Sequence, residues 1–262
     1  MVPNPREGGT HGPSPGAGPD VALRRAERGL ALACETTATL TEIVIELDDF
    51  AMRAPSLLPG WSRAHVITHL ARDADGLLNL LTWARTGVEH AMYASPADRD
   101  ADIEEGASRL AQVLHEDLIA ACERLEAAAR GLTTTAWQAQ VTGGQGRAMV
   151  AWEITWVRWI ETSVHLIDLD VGIGFDDLPI GHVEPLLDMV IRHRAGQRDT
   201  PSGRLYVDLP DGRQRGWELA GGTAGERTVT IGGPSSAALR WLTGRSDGSG
   251  LAGEPPPLPP WL

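Results

Sequence analysis

The chain is short of cysteine, of phenylalanine and tyrosine, of positive charge and of long apolar runs, and each shortage removes a class of protein. Its two cysteines, Cys34 and Cys122, lie in separate Ala/Leu-rich stretches. No CxxC occurs, so a disulfide framework is excluded and both read as half-buried thiols. Lys and Arg number 23 against 35 Asp and Glu, a formal net charge of -12 with no basic cluster. Such a chain repels a phosphate backbone, which argues against nucleic acid as a partner. No apolar run approaches the ~20 residues of a membrane span, so no membrane partner is expected. The Pro/Gly-rich N-terminus is unlike a signal peptide, and the expectation is a cytoplasmic protein. There are only 2 Phe and 2 Tyr but 9 Trp, and Trp137, Trp152, Trp156 and Trp159 surround one stretch, Arg158 to Asp168.

What is present is a hydrophobic content of 42% over 262 residues, enough for a sizeable core in one large domain or two modest ones. Residues 1–19 are Gly, Pro and small polar groups; they cannot bury enough apolar surface to offset chain entropy and read as a disordered tail. Apolar residues then recur at threes and fours, which predicts helices over about 20–51, 61–81, 102–130 and 148–171. Pro55 and Pro59-Gly60 break the first from the second, Ser62 is a good N-cap for the second, and Gly131 closes the third. Residues 87–100 read as a turn-rich loop with Arg99 at its end, where a lone arginine is ordinarily a solvated charge. Gly143-Gly144-Gln145-Gly146 follows no clear strand and lacks GxGxxG spacing, which rejects nucleotide binding. After Gly172 the texture changes. A helix over 182–194, strands over 205–209, 216–219 and 227–231, and a helix over 235–243 behind Pro234 predict a small α+β domain. The expected division is a tail (1–19), a four-helix bundle (20–175) and an α+β domain with a Pro-rich end (176–262).

Glu161 and His165 are one helical turn apart and share a face, so a carboxylate and an imidazole converge on one point. Such a pair suits a divalent ion that takes its third ligand from another helix. The second helix supplies His65 and His69. His69 falls beside Val66, Leu70 and Asp73 and leans inward, whereas His65 lies nearer the flank, so phase favours His69. Two imidazoles and a carboxylate match a Zn²⁺ site with an open fourth position. Asp73 and Asp168, each about one turn beyond a candidate ligand histidine, are placed to hold the second nitrogens of those rings.

Several segments resemble the DinB-like, mycothiol-dependent maleylpyruvate isomerase family: Pro59-Gly60-Trp61-Ser62-Arg63-Ala64-His65-Val66-Ile67-Thr68-His69-Leu70-Ala71-Arg72, Met92-Tyr93-Ala94-Ser95-Pro96 with Arg99-Asp100-Ala101-Asp102-Ile103-Glu104, Glu161-Thr162-Ser163-Val164-His165-Leu166-Ile167-Asp168-Leu169, and Trp241-Leu242-Thr243-Gly244-Arg245. The resemblance runs from about residue 22 to the end. It implies a DinB-like four-helix bundle followed by a sterol-carrier-protein-like α+β domain, with zinc on His69, Glu161 and His165. It also implies that Arg99 and a C-terminal arginine, Arg245 or else Arg240, grip the carboxylates of a small dicarboxylate substrate. The implied reaction is cis–trans isomerisation of maleylpyruvate to fumarylpyruvate in gentisate breakdown. The low-molecular-weight thiol mycothiol adds as a thiolate, the resulting single bond rotates, and elimination restores the alkene. Two alternatives stay open at this level: a mycothiol S-transferase acting on another electrophile or a biosynthetic intermediate, and a non-catalytic protein that binds a small ligand.

Overall fold

The computed structural model describes residues 18–195, 200–221 and 228–258, apart from the side chain of Gln145. The expected disordered tail lies outside the described residues up to residue 17, as do Arg227 and the last four residues of the Pro-rich end. Eight helices are described: α1 (Pro19–Val44), α2 (Asp49–Arg53), α3 (Arg63–Thr86), α4 (Pro96–Ala107), α5 (Ala111–Arg130), α6 (Glu153–Asp168), α7 (Ile180–Arg194) and α8 (Ser235–Leu242). The strands are β1 (Gln140–Thr142), β2 (Ala148–Val150), β3 (Gly203–Asp208), β4 (Gln214–Leu219) and β5 (Val229–Pro234).

The four long helices form a DinB-like bundle in which α1 packs on α6, α6 on α3, α3 on α5 and α5 on α1. Their inward stripes supply a continuous apolar core that includes Leu40, Leu70, Leu77, Leu118 and Trp159. Helices α1 and α6 approach closely. A Cβ placed on Gly29 would lie 2.4 Å from Thr155 Oγ1, and Trp156 Nε1 donates across the same seam to the Arg25 carbonyl at 2.8 Å. Gly29→Val must therefore push the two helices apart. Overpacking of this kind costs about 1–3 kcal/mol, expected as a drop of ~2–10 °C in a thermal melt; an unchanged melt would mean that the seam is looser than it looks.

Four of the expected boundaries shift, each for a local reason. Pro19 sits in the first turn of α1, where a missing N–H costs nothing, so the helix starts inside the expected tail. The expected first helix ends at Val44; Asp48 then starts α2 by accepting from Ala51 N at 2.8 Å. The helix expected over 102–130 is two helices. Ser95 caps α4 by accepting from Asp98 N at 3.1 Å, with Pro96 at the first helical position, so Arg99 is on a helix rather than in a loop. The start expected for the fourth helix is a small hairpin instead, in which β1 pairs antiparallel with β2 before α6 begins.

Beyond α6 the chain is α+β, as expected. The sheet order is β4-β3-β5, antiparallel between β3 and β4 and parallel between β3 and β5. Buried Leu205 and Val207 alternate with more exposed residues on β3, and the strand packs against α8, whose Trp241 is fully buried. Among the described residues no helix is long and apolar enough to cross a membrane.

Candidate metal centre

Helix α6 delivers Glu161 and His165, and α3 delivers His69. Two cross-links hold these helices in register. Arg63, at the start of α3, donates to the carbonyls of Leu169 and Asp170, each at 2.6 Å, and so closes the C-terminal end of α6. Arg158, on α6, donates to the Leu70 carbonyl at 2.8 Å and to Asp73 Oδ2 at 2.9 Å. His65 is engaged elsewhere. Its Nδ1 accepts from Ser62 N at 3.2 Å and lies 2.7 Å from Ser62 Oγ, a capping box with histidine in the usual Glu/Gln place. This leaves His69 as the inward histidine of α3.

His69, Glu161 and His165 each present one donor atom, all within 4.8 Å of one another. Glu161 Oε2 stands 3.3 Å from His69 Nε2 and 3.3 Å from His165 Nε2. Donors ~2.0–2.1 Å from a tetrahedral ion are about 3.3–3.4 Å apart along each edge, so the two spacings fit such an ion. The side chains of the histidines are 3% and 0% exposed and that of Glu161 is 12% exposed, so the trio opens to solvent at the carboxylate.

The electrostatics favour a cation. Burial lowers His69 to about 4, so its ring is neutral at physiological pH. Burial alone also drives His165 down, but hydrogen bonds and charge from Asp168 and Glu161 carry it above the ordinary histidine value. Burial pushes Glu161 up, and its contacts with His165 and His69 outweigh that and hold it well below the usual carboxylate range. Asp168 Oδ2 lies 2.8 Å from His165 Nδ1. Burial raises Asp168, but contacts with His165 and Arg245 override it and keep it ionised, so it can only accept and fixes the ring proton on Nδ1. The lone pair of Nε2 then faces a carboxylate oxygen, and Nε2 is buried without a hydrogen-bond partner. With Nε2 unprotonated, these two acceptors need a positive charge between them, supplied either by a bound cation or by a proton on the ring, whose pKa the neighbouring carboxylates raise.

The surrounding residues fall differently from expectation. Asp168 does hold His165, but Asp73 does not hold His69; it is buried against Arg158. The His69 Nδ1 instead faces Arg99, whose Nη2 is 3.2 Å away while Nη1 donates to Asp100 Oδ1 at 2.9 Å. Arg99 is thus a part-buried neighbour of the trio. The chain has no lysine, so every cation near the trio other than histidine is a guanidinium. Arg245, expected to grip a substrate carboxylate, grips that of Asp168, with Nε 3.0 Å from Oδ1 and Nη2 2.5 Å from Oδ2. Arg240 pairs at 2.6 Å with the exposed Asp176 instead of any donor of the trio. Sequence reasoning missed two side chains here. Trp61 tilts against the His69 ring with centroids 5.7 Å apart. Arg158, three residues before Glu161 on the buried face of α6, carries a signal that was readable: a charge inside an apolar stripe.

A four-helix DinB-like bundle with a buried His–Glu–His donor set, joined to a small α+β unit, is the class that fold and site define together. Residues 33–170 match the family model of the mycothiol maleylpyruvate isomerase N-terminal domain, and the chain belongs to that family. Two solved structures are similar along nearly their whole length. A crystal structure of the mycothiol-dependent maleylpyruvate isomerase is 29% identical with a TM-score of 0.78, covering 90% of this chain and 97% of that one. A histidine-to-alanine mutant bearing the same name is 28% identical with a TM-score of 0.77 and the same coverage. No curated protein matches the chain.

Proposed function

We propose that the chain is a zinc- and mycothiol-dependent isomerase that converts maleylpyruvate to fumarylpyruvate, with the ion on His69, Glu161 and His165. In this reading the bundle and the α+β unit divide near residue 175. The observation that carries the reading is the buried, unpartnered Nε2 of His165 aimed at the Glu161 carboxylate, in a family named for this reaction. An ion bound there supplies Lewis acidity that keeps a thiol ionised at neutral pH as a nucleophile.

The chain's own residues do the rest. With an ion in place the two imidazoles would serve as neutral donors, and Glu161 contributes the one negative charge of the trio. Asp168 holds the His165 proton on Nδ1 so that Nε2 stays available. Arg99, at the rim beside His69, is placed to bind a substrate carboxylate and to stabilise negative charge that develops on the substrate. Trp61 walls the site next to His69 and limits water. The protein's own thiols are poor substitutes for a borrowed one. Burial pushes Cys34 up to about 11, and Cys122 lies 3.1 Å from Nη2 of Arg158, outside the trio.

The test is metal content together with fumarylpyruvate formation from maleylpyruvate, with and without mycothiol, before and after a chelator. Activity is expected only with both zinc and thiol. A stable mycothiol adduct of another electrophile, with no fumarylpyruvate formed, would replace the isomerase reading with a transferase. Arg99→Met is expected to keep its zinc and lose about 2–5 kcal/mol of transition-state binding, a fall of ~30- to 5,000-fold in kcat/KM. Normal turnover in this variant would remove Arg99 from the mechanism.

A further inference from the structure

We propose that Arg245 is a positioning residue for the metal ligand His165, acting through Asp168, so that the α+β unit sets how tightly the bundle holds its ion. The inference rests on the metal reading above and adds a dependence that the trio alone does not contain. The path is short and buried. Asp168, 0% exposed, receives His165 Nδ1 on one side and the Arg245 fork on the other, and the Arg245 side chain is itself only 7% exposed. Asp168 is three residues beyond His165 on α6, while Arg245 lies 77 residues further along, past the sheet and α8.

The local chain aims the guanidinium. Gly244, at φ 73°, turns the backbone after α8 in a conformation that favours glycine, and Arg245 N donates to the Arg240 carbonyl at 2.7 Å. Nη1 donates to the Thr243 carbonyl, so Nε, Nη1 and Nη2 are all engaged within the protein. Three of its five N–H groups are thus occupied, two of them on Asp168.

The physical consequence concerns orientation. A carboxylate turns readily about its last torsion, which has broad, two-fold minima. Two parallel N–H···O bonds from a planar fork fix its plane. A fixed Asp168 fixes the imidazole that donates to it, and hence the direction of the Nε2 lone pair. Partners one bond removed from a metal commonly change affinity by about 10–100-fold. Here that partner is itself held by a residue of the other unit.

The experiment measures zinc affinity by competition with a chromophoric chelator on the full chain, for wild type, Arg245→Met, Arg245→Lys, Asp168→Asn and the double variant Arg245→Met/Asp168→Asn. Arg245→Met is expected to weaken zinc binding about 10–100-fold. Lys keeps the charge but not the fork and should fall between Met and wild type. The double variant should bind no more weakly than Asp168→Asn alone, because the arginine acts through the aspartate. Cobalt(II) loaded in place of zinc should show altered absorption bands in Arg245→Met, which a contact made only with substrate would not cause. If Met unfolds the chain, the Lys variant carries the same readout. Wild-type zinc affinity retained in folded Arg245→Met and Arg245→Lys overturns the inference, as does an additive loss in the double variant. A wild type that binds no zinc overturns the metal reading itself, so the two failures are told apart.

Discussion

Replacing Glu161 with alanine is expected to yield a chain that no longer retains zinc through dialysis, while its helical content is unchanged. The carboxylate is the only anionic donor of the trio, and its Oε2 is the shared corner, 3.3 Å from each histidine nitrogen. Without it two imidazoles on different helices must hold a divalent ion with no charge to neutralise it. The loss should exceed the ~10–100-fold seen when only an outer partner of a ligand is removed. Thermal shift gives a second readout. Zinc at about a hundred times its dissociation constant adds ~2.7 kcal/mol to the folded state, which for a chain of this size raises the melting temperature by about 5–10 °C. That rise is expected for wild type and absent for Glu161→Ala. Elemental analysis showing full zinc in the variant would remove Glu161 as a ligand and leave its position between two buried histidines without a purpose.

The long helices and the face shared by Glu161 and His165 were legible because both depend on spacing within one helix, which sequence displays directly. His69 was legible against His65 by a smaller margin: four residues at 3.6 per turn leave the two only about 40° apart on one side of the helix, with His69 nearer the Val66, Leu70 and Asp73 stripe, and in the structure the capping contact with Ser62 draws His65 away. The break between α4 and α5 was hidden. Ile103, Leu110 and Leu114 keep a helical period across it, and the chain turns at Ser108, whose Oγ donates to the Glu105 carbonyl at 2.7 Å, with no glycine or proline at 108–110. Arg99 was misplaced for the opposite reason: Ser95-Pro96 is a helix start as readily as a turn. What sequence could not display is pairing across the fold. Asp73 and Asp168 look alike by spacing, each about one turn past a histidine. Yet the first turns to Arg158 and the second to His165 and Arg245, and only the packing of α3 on α6 and the path of the chain after α8 decide which.

The pair Arg158–Asp73 predicts the largest loss of stability. Both groups are buried, and among the described residues the one ion pair that either makes is with the other, at 2.9 Å. Burial raises Asp73 to about 6 despite the arginine, so it is mostly ionised at neutral pH but holds its proton more tightly than an exposed aspartate. Arg158→Met keeps most of the packing volume and leaves that carboxylate without a counter-charge, a change that costs about 3–5 kcal/mol. Asp73 then escapes part of the cost by taking up a proton, which fixes the pH dependence. Arg158 pulls the folded pKa of Asp73 down, and its removal lets that pKa rise further. A group whose folded pKa is raised stabilises the fold below its unfolded value and loses that contribution as pH rises through the folded value. The deficit of the variant against wild type should therefore be small near pH 4–5 and grow toward pH 8, as read by urea unfolding at several pH values. Removing both charges with Arg158→Met/Asp73→Leu should recover most of the loss, since an apolar pair of similar volume often matches a buried ion pair. Because Arg158 also holds the Leu70 carbonyl next to His69, the double variant should stay folded yet bind zinc more weakly than wild type. A double variant as unstable as Arg158→Met alone would show that the arginine matters for its backbone contact and not for its charge.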